Sequence, residues 1–108
     1  MSKFVATRNK GFAMTFDNNY TISVQWGTEN YCEKKHTTIH PTDPMEHKRW
    51  DSLSAEIAVF GGEGMLSIGD EDTVIGWLST DDVAKVIAIV SSAETKEEIQ
   101  IKIKTLGL

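Results

Sequence analysis

The chain predicts an α+β fold, an antiparallel sheet of about five strands with one or two C-terminal helices packed on one face. Two patterns and the chain length predict it. Apolar residues alternate with polar ones in short runs punctuated by turn residues, first over 11–26 and again over 55–78. Val83, Val86, Ile87 and Val90 then recur at helical spacing. A length of 108 residues, 40% of them apolar, suits one domain with a single modest core.

The elements follow in order. In "GFAMTF", Phe12, Met14 and Phe16 share one side, as in a half-buried strand. Asp17-Asn18-Asn19 suits a tight hairpin turn, because Asn and Asp tolerate left-handed backbone. The return strand sends Tyr20, Ile22, Val24 and Trp26 to the core and Thr21, Ser23 and Gln25 to the opposite face. From about 28 to 53 the periodicity vanishes; the segment holds both prolines and all three histidines and reads as a long irregular loop. A short helical turn fits after Asp43, with Pro44 at its first position and Met45, Trp50 and Leu53 as anchors. "AEIAVF" is a third strand, "GGEG" a turn, and "MLSI" and "TVIGWL" the fourth and fifth strands. Gly76 inside the last of these predicts a bulge or a close approach by a neighbour.

Ser79 caps the helix that follows, with Asp81 and Asp82 at the positive end of its dipole. The tail admits two readings. Ile99, Ile101 and Ile103 alternate like a strand, whereas Thr95 and Glu98 form a capping-box start and Gly107 a stop, with Ile99, Ile103 and Leu106 on one helical face. The helix is the favoured reading. The first ten residues are basic at Lys3, Arg8 and Lys10 and show no signal-peptide core, and no run is long enough for a membrane span. A single cysteine excludes an internal disulfide and fits a reducing compartment.

The formal net charge is −5, which argues against nucleic acid as a partner. Between Asp51 and Asp82 lie eight acidic residues and no lysine or arginine. A solvated face explains them, and a contact for a basic partner is the functional alternative. The sequence carries no phosphate loop, no GxSxG elbow and no HExxH, and no cofactor is expected. Cys32, His36, His40 and His47 cluster within sixteen residues. These are zinc-type ligands, but C-x3-H-x3-H-x6-H matches no common zinc module, and a polar loop that uses histidine explains them better. Cys32 as a nucleophile, with His36 or His40 as base, lacks a recognisable oxyanion site.

The stretch "YTISVQWGTENYC" raises a further question, since a regular strand runs straight into a polar, thiol-bearing cluster. Trp26, Trp50 and Trp77 read first as core anchors. The alternative is a pocket for a small planar ligand built from Ser23, Gln25, Trp26, Asn30, Tyr31 and Cys32, in which Gly27 lets the chain turn so that Asn30 and Tyr31 meet Gln25.

"GFAMTFDNNYTISVQWGTENYC", with "AEIAVF" and "DTVIGWLSTDDVAKVI" after it, resembles a group of small uncharacterised proteins encoded by tailed bacteriophages and prophages. Gly11-Phe12, Met14 to Phe16, Thr21 to Gln25, Gly27, Asn30 to Cys32, Ala55 to Ala58, Val74 and Gly76 carry the likeness. The chain departs from that group at the hairpin turn, at Thr28-Glu29, and at Trp26 and Trp77, and the histidines lie outside the likeness. The resemblance implies a non-enzymatic phage accessory protein in the host bacterial cytoplasm. It would bind a small host ligand, such as a nucleotide signal of antiviral defence, in a pocket edged by the next protomer of a homo-oligomer. A protein-blocking or virion-assembly module using the acidic surface is the alternative.

Overall fold

Strand alternation and two well-capped helices account for most of the architecture. The computed structural model describes residues 2–7, 10–27, 30–33, 51–69 and 72–108. Its elements are β1 (Lys3–Thr7), β2 (Gly11–Thr15), β3 (Thr21–Gln25), β4 (Ala55–Gly61), β5 (Gly64–Met65), β6 (Val74–Leu78), α1 (Thr80–Ser92) and α2 (Lys96–Leu106). The six strands form one antiparallel sheet in the order β1-β2-β3-β4-β5, and β6 pairs with β4 as well.

Register sets the two faces. Ile22 lies opposite Met14 and Val59, and Val24 opposite Phe12 and Ile57, so the apolar sets of β2, β3 and β4 share one face. Both helices belong to this inner side: Val83, Val86 and Val90 of α1 and Ile99 and Ile103 of α2 are buried in the same cluster as Ile22, Ile57 and Val59. Each such side chain contributes about 1.5–3 kcal/mol through burial.

The helix signals hold in detail. Asp82 donates its N–H to Ser79 Oγ at 3.2 Å. Glu98 donates its N–H to Thr95 Oγ1 at 3.1 Å, and its carboxylate reaches back to the Glu94 N–H at 3.2 Å. Gly107 ends α2 in the left-handed region with φ 71°, which removes the strand alternative for the tail. Leu106, in the last turn of α2, is more exposed than Ile99 and Ile103.

Lys3–Thr7 adds a strand that the sequence patterns do not predict, β1, paired with β2 from Lys3–Thr15 to Thr7–Gly11. Three expectations need correction. The fourth strand shrinks to Gly64–Met65; Leu66 still donates its N–H to Val59 O, but the chain leaves the ladder there. Trp77 is no core anchor, being 59% exposed. The register of β6 slips between Ala55–Leu78 and Ile57–Ile75, so Gly76 and Trp77 together face Glu56, and this bulge turns Trp77 outward at φ 61°. Leu53 is not a buried anchor either, at 81% exposure. The helical turn expected after Asp43, with Met45 and Trp50, lies outside the described residues.

Candidate functional site

β3 has the expected two-sidedness, with Ile22 and Val24 buried and Ser23 and Gln25 on the outer face. Gln25 does not turn towards the following loop. Its Nε2 donates to Ser23 Oγ at 3.3 Å and to Thr7 Oγ1 at 3.4 Å. Thr7, Gly11 and Gln25 form one row across β1, β2 and β3, and the amide reaches Thr7 over the side-chain-free Gly11.

The loop from Gly27 to Cys32 closes on itself. Gly27 donates its N–H to Asn30 Oδ1 at 2.9 Å, Asn30 returns its N–H to Gly27 O at 3.1 Å, and Cys32 donates its N–H to Asn30 O at 2.9 Å. The Cys32 thiol is fully buried and points at Gly27 O, 3.5 Å away. Glu56, opposite Gln25 on β4, locks the loop down. One carboxylate oxygen accepts from Asn30 Nδ2 at 3.2 Å and the other from the Tyr31 N–H at 3.1 Å. Tyr31 O in turn accepts the Trp77 N–H at 2.8 Å. A Cβ on Gly76 would collide with the Cβ of Tyr31, so the predicted close approach has an identity. Asn30 and the thiol thus spend their polar atoms on fixing the loop, while Tyr31 as a residue is 47% exposed.

A concavity among the described residues lies on the inner face instead. A cavity of about 540 Å³ opens between the first two turns of α1 and the sheet. Phe12 and Val24 form its floor, with Trp26, Leu53, Leu78 and Ile87 around it. Trp26 meets Phe12 edge-to-face, centroids 6.1 Å apart at 67°, and so forms an aromatic corner. Asp51 is the only charged residue among the described lining. Of the six candidates Ser23, Gln25, Trp26, Asn30, Tyr31 and Cys32, only Trp26 reaches this cavity. Sequence reasoning missed Phe12 and Ile87 as site residues because their spacing marks them as core, and Ala84 because it falls outside the apolar stripe of α1.

Among the described acidic residues, Glu63 does not share one patch with Asp81 and Asp82. Glu63 lies in the turn after β4, whereas Asp81 and Asp82 follow Leu78, which pairs with the first residue of β4. Seven residues of strand put the two ends about 20 Å apart. Glu56 is engaged with the loop. His36, His40 and His47 lie outside the described residues; among the described residues no group of three or more His, Cys, Asp or Glu is placed to hold a metal. Among the described residues no helix is long and apolar enough to cross a membrane.

Comparison with protein-family models, curated proteins and solved structures finds no match to this chain.

Proposed function

We propose that the protein is a non-enzymatic binding module that holds a small, planar, largely apolar molecule in the inner-face cavity between α1 and the sheet. The observation that carries this reading is the 540 Å³ cavity with the Phe12–Trp26 corner as its wall. Its size falls in the range of small-molecule sites, and aromatic walls recognise flat ligands. No described residue of the lining is basic, so a nucleobase or similar heterocycle suits the site better than a polyphosphate. The likeness to phage proteins supports a host metabolite as the ligand and the infected cell's cytoplasm as the setting.

Ala84 is exposed on α1 and lines the cavity, so Ala84→Trp fills it without disturbing the core. Isothermal calorimetry against host nucleosides, signalling nucleotides and uncharged aromatic metabolites tests the reading. The expected result is micromolar heat from at least one flat ligand, with affinity weakened about tenfold or more in Ala84→Trp at an unchanged melting temperature. Silence across the panel, or binding indifferent to Ala84→Trp, rejects it.

A further inference from the structure

The two edges of the sheet are finished differently. On the far side, β5 is two residues long and β6 is bulged at Gly76–Trp77, where the Tyr31 carbonyl accepts the Trp77 N–H. Those are the usual ways of blunting an edge. The near edge is β1, five residues with no proline and no bulge, and no described strand pairs with its outer side. Phe4 is 80% exposed and Val5 44%.

The backbone direction of β1 follows from its turn. Thr7 O accepts the Lys10 N–H, which turns Thr7 towards β2. Strand alternation then turns the N–H and C=O groups of Phe4 and Ala6 outwards. Val5 sits between them as a centre of local symmetry.

We infer that β1 pairs antiparallel with β1 of a second copy of this chain about a two-fold axis at Val5, joining two six-stranded sheets into one. In that register Phe4 of one protomer faces Ala6 of its partner, and each such pair exchanges two main-chain hydrogen bonds. A large side chain meets a small one, Met14–Phe4 and Ala6–Phe12 rows join across the axis, and the inner apolar floor becomes continuous. Val5 meets Val5 as the close, non-hydrogen-bonded pair. Lys3 faces Thr7 of the partner, so no rung sets like charges opposite each other. Another protein's strand would satisfy the same backbone groups, but this self-match of size, charge and hydrogen-bonding phase selects a second copy.

The test is light scattering coupled to size exclusion on the full chain, from micromolar to near-millimolar concentration. The expected mass rises towards twice the 12.0 kDa of the chain. Ala6→Pro removes an outward N–H that the fold itself does not use, and proline is accepted at such an edge position. Phe4→Lys alters a side chain already in water. Both variants are expected to stay monomeric over that range with unchanged circular dichroism. If Ala6→Pro fails to fold, Phe4→Lys decides. Val5→Cys, under a mild oxidant, is expected to cross-link into a covalent dimer, while Lys3→Cys is not, because Lys3 does not face itself. A wild-type mass of 12.0 kDa throughout overturns the inference. So does a dimer that survives Phe4→Lys, or cross-linking by Lys3→Cys in place of Val5→Cys.

Discussion

Asn18 performs two tasks in a three-residue turn. Its Oδ1 accepts the Tyr20 N–H at 3.1 Å, which shapes the β2–β3 hairpin. Its Nδ2 donates to Val90 O at 2.8 Å and Ala93 O at 2.9 Å, the carbonyls that end α1. No basic side chain occupies the last turn of that helix, so the hairpin supplies its C-terminal donor. Asn18→Ala is expected to cost about 1–3 kcal/mol in denaturant melts, since two part-buried carbonyls lose a partner. Asn18→Asp should cost more, because a carboxylate would face the negative end of the helix dipole. Glu56 is a second residue of this kind. Glu56→Gln keeps the shape but brings a donor up against the Tyr31 N–H or the Asn30 amide. Faster hydrogen exchange at the Tyr31 and Trp77 amides is the expected readout, with the inner-face cavity and its binding unaffected.

At the scale of elements, α2 is held by local charge as well as by burial. The Glu98 carboxylate is hydrogen-bonded by Lys102 Nζ at 2.9 Å one turn on, and it accepts the Glu94 N–H. The Lys102 bond first, then the Glu94 N–H, hold its carboxyl below the usual glutamate range. A lowered acid favours the folded state above its unfolded pKa. That contribution fades as the pH falls through the ordinary glutamate value to the lowered one. The expected outcome is an acid-side loss of stability that is smaller in Glu98→Gln, and weakened by salt because the pair is exposed. Thermal melts between neutral and acidic pH, at low and high ionic strength, measure it. The β2–β3 hairpin and α1 show the same local logic, since an Asx turn and a Ser cap each act within three residues of the group they satisfy. Such elements are readable from sequence because the interacting groups are neighbours in the chain.

For the whole molecule, alternation and helical spacing determined the inner set of the hairpin, Phe12, Met14, Ile22 and Val24, and the stripe of α1 that covers part of it. They also determined both helix caps and the stop at Gly107. These follow from periods and contacts a few residues long. Tertiary structure alone decided the rest. Lys3–Thr7 lacks an alternating pattern and becomes a strand because β2 offers it a ladder. Trp77 faces water because a one-residue slip against β4 turns its backbone left-handed, an outcome of register and not of hydrophobicity. Gln25 serves Thr7, and not Asn30, because β1 places a hydroxyl across Gly11. The Asn30 amide and the Tyr31 backbone N–H are engaged by Glu56, more than twenty positions away. Among the described elements, the cavity lies where α1 packs on β3 and β4 and stops short of β2, and no period in the chain encodes where one layer stops short of another.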